Sequence, residues 1–307
     1  MSCLDERLGE YLRMRRALGY GLRRQEKLLR QFLGFLEGRG ETRVTTASAL
    51  AWARLAAGAE SWRSYRLTAV RGFARYLASI GEPVEVPAGD LLPDRPHRAV
   101  PYHYRDEQIA ALMRAADTLG TAHRTATLRT LIGLLWSTGM RVGEAIALDR
   151  ADFDDRHGVL VVRHGKLAKS RELPLHESTV SAVRGYLDRD DRPRGPAGET
   201  ALLSSMAGTR LLISNVWVAF ATLRSRAGIE PCSPRCRPRI HDLRHSFAVR
   251  TILDGYRAGE DIGPRLALLS TYLGHVDPKA TYWYLEAAPD LMQAAGERLE
   301  RYLEDLR

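Results

Sequence analysis

Five prolines, Pro83, Pro87, Pro93, Pro96 and Pro101, crowd one short stretch of the chain. Each proline removes a backbone donor and fixes φ, and it pushes the residue before it toward extended backbone, so no helix can run through such a stretch. It reads instead as an extended connector. A chain of 307 residues has room for about two domains at roughly 150 residues each, and the connector is where they divide. We place an amino-terminal domain at 1–90, a linker at 91–104 and a second domain at 105–307.

Before the connector the apolar residues recur only at helical spacing. Leu4, Leu8, Tyr11 and Leu12 mark one face, and Leu28, Leu29, Phe32, Leu33, Phe35 and Leu36 a second, stopped by Gly38 and Gly40. Thr46 is expected to cap a third helix. Ser61 is expected to open a fourth, carrying Trp62, Ala69, Val70, Phe73, Leu77 and Ile80. This is a helical bundle with 15 basic against 10 acidic side chains, a balance of +5. The fourth helix sets Arg63, Arg66, Arg71 and Arg75 beside its apolar stripe, which on charge patterning alone fits a solvated helix face.

After the connector, helices are expected over 106–116 and 124–136, the second nearly all apolar in its middle and so buried. Val159 to Val162 and Arg171 to Leu173 read as two short strands around the turn 164–170, where Gly165 supplies flexibility. Further helices follow over 177–188 and 215–227, with Ser214 as cap of the latter.

Composition excludes several classes. An apolar content of 45% with 27% charged residues is that of a globular protein rather than a disordered one. Apolar runs such as Leu131 to Trp136 fall far short of the ~20 residues that span a bilayer, so no membrane is expected. The opening residues carry no export signal and three cysteines close no disulfide set, which points to the cytoplasm. The net charge of +9, from 42 arginines and four lysines against 37 acids, points to a polyanionic partner.

Four stretches put a cation, an imidazole or a phenol beside a turn or helix start. In Ser137-Thr-Gly-Met-Arg-Val-Gly-Glu144, Gly139 ends the buried helix and Arg141 opens the next. There its planar fork suits a phosphate, and Glu144 one turn on can orient it. The hairpin turn holds two of the four lysines, Lys166 and Lys169, each a mobile donor able to protonate a leaving alkoxide. In Ile240-His-Asp-Leu-Arg-His245, helical spacing puts His241, Arg244 and His245 on one face. The fourth stretch runs from Leu273-Gly-His275 through Asp277-Pro278, a helix cap and first turn, to Tyr282 and Tyr284. The His-Asp pair also suits a metal phosphohydrolase, but Arg244 on the same face repels a divalent cation. Cys232, Cys236, His241 and His245 have some zinc arithmetic, opposed by the prolines around the cysteines.

Taken in order, Arg141, Lys166, His241-x-x-Arg244, His275 and Tyr284 resemble the tyrosine recombinases of the phage integrase family, over the whole chain. Gly-Met-Arg-Val-Gly-Glu, His-Asp-Leu-Arg-His, and Leu-Gly-His followed nine residues later by tyrosine stand here as its boxes. The resemblance implies an all-α, SAM-like core-binding bundle that grips DNA, followed by a mainly α catalytic domain with a small antiparallel sheet. It implies Tyr284 as nucleophile, Arg141 and Arg244 clamping the scissile phosphate, His241 and His275 on its oxygens or moving protons, and Lys166 as general acid. Lys169 and the four arginines of the fourth helix become candidate DNA contacts. No metal or cofactor is implied. The implied partners are duplex DNA with specific recombination sites, a synaptic homotetramer joined by exchange of the tail after Pro289, and partner recombinases. Two other functions fit the same residues: type IB topoisomerase-like relaxation, and a DNA-binding accessory protein that does not cleave. The long interval from His241 to His275 and the Cys232–Cys236 pair lie outside the pattern.

Overall fold

The computed structural model describes residues 3–92, 100–163, 170–196, 199–275, 281 and 289–305. The chain divides into two compact units, Met1–Arg98 and Ala99–Arg307.

The first unit is four helices: α1 (Cys3–Ala17), α2 (Arg23–Glu37), α3 (Thr46–Arg54) and α4 (Glu60–Ser79). Their apolar faces meet in a core built on Leu8, Leu29, Phe32, Trp52, Leu67 and Phe73. Two expected caps shift. Thr45, not Thr46, caps α3: its hydroxyl accepts the Ser48 amide, and the Ser48 hydroxyl accepts the Thr45 amide. Thr46 is already helical. Likewise α4 starts one residue before Ser61 with no side-chain cap, and Glu60 instead places a negative charge at the helix start.

The second unit is mainly helical: α5 (Asp106–Ala116), α6 (Ala122–Thr138), α7 (Val142–Ala147), α8 (Glu177–Leu187), α9 (Ile213–Arg226), α10 (Asp242–Arg257), α11 (Ile262–Leu273) and α12 (Pro289–Asp305). The apolar middle of α6 is buried at Leu128, Leu131, Ile132, Leu134 and Leu135 and packs on α5, α8 and α10. α9 begins before Ser214, which lies inside its first turn rather than capping it. A three-stranded antiparallel sheet, β1 (Phe153–Asp154), β2 (Val159–Val162) and β3 (Arg171–Pro174), adds one short strand to the expected hairpin. Its register pairs Leu160 with Leu173 and Val162 with Arg171, so Arg171 shares the inward face of β3 with buried Leu173.

The long interval between His241 and His275 is accounted for by α11. Asp261 accepts the Gly263 amide as its cap, and Pro264 sits in the first turn, where a missing N–H breaks no helical bond. Ala248, Val249, Ile252, Leu269, Leu273 and Leu291 form a small separate core joining α10, α11 and α12. The tail helix therefore rests on its own unit in the single chain, with Arg298 donating to the Glu260 carbonyl as a further tie. Among the described residues no helix is long and apolar enough to cross a membrane.

Candidate active site

The backbone brings three of the sequence motifs to one place. α6 ends at Gly139 in the left-handed conformation, φ 60°, and a Cβ there would lie 2.4 Å from the Phe247 ring, so both the backbone and the neighbour call for glycine. Two residues later Arg141 stands just before α7. Its amide donates to Glu144 Oε2 at 2.9 Å and its Nη1 to Oε1 at 2.8 Å. Burial alone would raise the Glu144 pKa, but hydrogen bonds from Arg171 and Arg141 and the Arg171 charge outweigh it and hold the carboxyl at about 2.

Asp242 opens α10 and is fully buried; it accepts the Arg239 amide and two of its guanidinium N–H groups. That pairing fixes the turn that presents His241. His241 is an exposed residue whose ring is nonetheless crowded by packed atoms, and desolvation first and the Arg244 charge second lower its pKa. It packs edge-to-face on His245, ring centroids 5.1 Å apart. His245 itself is pushed down to about 3 by desolvation and by His241, so it stays neutral at physiological pH.

Arg244 is 2% exposed, among the largest fully buried side chains. Nη1 donates to the Gly139 carbonyl at 2.9 Å, and Nη2 to the Leu273 carbonyl at 2.7 Å and to His275 Nε2 at 2.9 Å. A guanidinium can only donate, so His275 Nε2 accepts, and the ring proton is assigned to Nδ1, which donates to Thr281 Oγ1 at 2.8 Å. One buried cation thus ties the end of α6 to the end of α11. Gly274, with φ 67°, closes α11 immediately before His275.

The structure therefore brings Arg141, His241, Arg244 and His275 into one charged patch. Lys166, Lys169, Tyr282 and Tyr284 lie outside the described residues. Arg171 joins the patch without having been expected there. Its signal was readable, since an arginine two residues before Leu173 in a strand points to the same face as that leucine.

The α4 arginines are placed differently. Arg63 is held by Glu60 and the Ala56 carbonyl. Arg66 lies 3.8 Å over the Trp52 ring, and Arg71 donates to the Pro87 and Ala88 carbonyls. Arg75 stands exposed. The Cys236 thiol donates to the Pro101 carbonyl, and among the described residues no three His, Cys, Asp or Glu side chains are grouped to hold a metal ion.

Residues 103–290 match the model of the phage integrase family. The chain belongs to this family, the tyrosine recombinases. Over 314 residues, 99% of both chains, it is 40% identical to a Sinorhizobium fredii protein bearing the name integrase/recombinase y4rB. It is 32% identical over 280 residues to the tyrosine recombinase XerC of Mycobacterium leprae, covering 88% of this chain and 89% of that one. Among solved structures, the Tn1549 transposon integrase in complex with transposon right end DNA has a TM-score of 0.63 at 18% identity, covering 98% of this chain and all of that one. The XerH recombinase in a post-cleavage complex has a TM-score of 0.60 at 19% identity, covering 84% and 73%. These two share the recombinase fold. The chain is an enzyme of site-specific DNA recombination that cleaves and rejoins DNA strands.

Proposed function

We propose that this recombinase cuts duplex DNA through a covalent 3′-phosphotyrosyl intermediate on Tyr284, in the integration, excision or transposition of a mobile element. The observation that carries the proposal is the joining of Arg244 to His275, with Arg141 two residues beyond the Gly139 carbonyl that Arg244 also holds. Two cations and two imidazoles so arranged suit a phosphate whose nonbridging oxygens gain charge as a fifth ligand arrives.

In this reading the Tyr284 oxygen attacks phosphorus while Arg141 and Arg244 hold the nonbridging oxygens. His241 and His275 hydrogen-bond to the phosphate or move protons, and Lys166 gives its proton to the departing 5′ oxygen. The phosphotyrosyl bond conserves the energy of the broken phosphodiester. A 5′-hydroxyl from another strand can then reverse the step, with no nucleotide consumed. Residues 1–90 act as the second grip on the duplex, 91–104 as linker and 105–307 as the catalytic domain, with Lys169 and the exposed Arg75 among the phosphate contacts. Two rounds of exchange call for four protomers in synapsis, linked by tail helices that leave their own unit for a neighbour, with partner recombinases as further participants. The tetramer of lambda integrase solved on a Holliday junction and the transposon-end complex of the Tn1549 integrase support this reading.

The test uses duplexes recovered by binding to the full-length chain from a randomised pool, nicked so that cleavage traps the protein. Denaturing electrophoresis should show a protein–DNA adduct in the wild type and none in Tyr284→Phe, with binding retained. An adduct in Tyr284→Phe, or none in a DNA-bound wild type, would overturn the proposal. Supercoil relaxation without recombinant joints would replace it with a topoisomerase activity.

A further inference from the structure

Arg171 stands outside the residues assigned to the phosphate, yet its guanidinium reaches the carboxylate that holds Arg141 and the backbone next to the carbonyl that takes Arg244. It opens β3, five positions after Lys166 in the sequence. Nη1 and Nη2 donate to Glu144 Oε1 at 3.2 Å and Oε2 at 2.8 Å, in a two-pronged pair whose side chains are 13% and 10% exposed. Nε donates to the Tyr272 carbonyl at 2.8 Å. Each partner leads to a residue of the site. Glu144 is the carboxylate that holds Arg141, and Tyr272 precedes Leu273, whose carbonyl takes Arg244. The close fit extends to Gly274, where a Cβ would come within 3.0 Å of Arg171 Nη1.

We propose that Arg171 is a positioning residue, which sets the Arg141 turn, the Arg244–His275 pair and the hairpin in one register before DNA arrives. The inference rests on the assignment of those residues to the scissile phosphate. Its physical basis is the shape of the side chain. A planar fork can donate in parallel to both oxygens of a carboxylate while its Nε serves a carbonyl on a third segment, and a lysine, a point charge on a flexible stem, cannot hold all three at once. A small loss of register at a phosphoryl-transfer site costs rate far more than it costs binding, since ground-state contacts tolerate displacements that a transition state does not.

The experiment measures adduct formation under single-turnover conditions at saturating full-length protein, on the selected nicked duplex, alongside the dissociation constant for the same duplex. Arg171→Gln should slow adduct formation by about a hundredfold while the dissociation constant moves by no more than about threefold. Arg171→Lys should recover only about a tenth of the lost rate. In a cycle with Glu144→Gln, the double variant should be no slower than the slower single variant, because both changes break one link. Wild-type rates in Arg171→Gln and Arg171→Lys would overturn the inference. So would rate losses matched by equal losses of binding, or losses accounted for by the unfolded fraction in a thermal melt. Should Arg171→Gln fail to fold, Arg171→Lys keeps the charge and carries the same rate-against-binding comparison. Tyr284→Phe, run alongside, separates the two claims: an adduct there defeats the nucleophile assignment, whereas its loss together with wild-type rates in the Arg171 variants defeats only the positioning role.

Discussion

On α4, Arg66 lies over an indole ring, Arg63 is paired with a carboxylate one turn away, and Arg75 stands in solvent. In the second unit, Arg244 is buried on carbonyls and an imidazole, and Arg141 and Arg171 share the one carboxylate of Glu144. The same side chain thus meets two environments. An exposed arginine spreads its charge into high dielectric, where a pair is worth little, and is cheap to keep or lose. A buried one must be matched donor by donor, so its position is fixed before any ligand binds. Burial separates Arg244 and Arg171 from Arg75, whereas Arg63 and Arg141, each with 30% of its side chain exposed, differ only in the partners that hold them.

The widest gap is expected at Arg244. Arg244→Ala should reduce adduct formation at least about a thousandfold, and by leaving buried acceptors unmatched it should cost about 3 kcal/mol in urea unfolding. A variant as stable as the wild type would break the comparison. Arg141→Ala should come next, slowing adduct formation by about a hundredfold or more with DNA binding largely kept, since its guanidinium is only half-buried. If binding alone fell, Arg141 would belong with the surface arginines.

Glu144 sharpens the comparison through pH. Its folded pKa of about 2 lies below the ordinary 4.5, so its ionisation stabilises the fold above the unfolded value, and that contribution is lost as pH falls toward 2. About 1 kcal/mol of it should be gone by pH 4 and about 3 kcal/mol by pH 2. Urea melts of the wild type and Glu144→Gln over this range should show the difference between the two shrinking as pH drops. A constant difference would show that the carboxylate is not held by its two arginines.

The smallest effects belong to α4. Arg75→Ala should weaken binding to generic duplex DNA by a few fold and lower the salt slope by about 1. Arg66→Ala should leave the slope unchanged while lowering stability by about 1 kcal/mol through the lost contact with Trp52. The opposite pattern would move Arg66 into the DNA contacts and Arg75 out of them.

Much of this was readable beforehand because it depends on local chemistry. The stop at Gly139, the turn before Arg141, the β2–β3 pairing and the His241–Arg244 face all follow from glycine geometry or from helical and strand periods. The residues that escaped depend on what folding brings close. Nothing within the sequence around Arg171 names Glu144, 27 positions earlier, or the carbonyl of Tyr272 as its partners. The long interval before His275 holds α11, where Gly263 and Pro264 both fall in the first turn and neither costs a helical bond. The caps slipped for a finer reason. Thr45 and Thr46 are adjacent and equally suited, and only the bond from the Ser48 amide chooses between them.

The carbonyls that hold Arg244 come from the ends of two helices, Gly139 just past α6 and Leu273 at the close of α11. A helix carries roughly half a negative charge at its carboxyl end, from peptide dipoles aligned along its axis. Two such ends converging on one guanidinium offset part of its buried charge. These dipoles belong to the backbone and cannot dissociate, so their share of the stabilisation is in place before any ligand arrives.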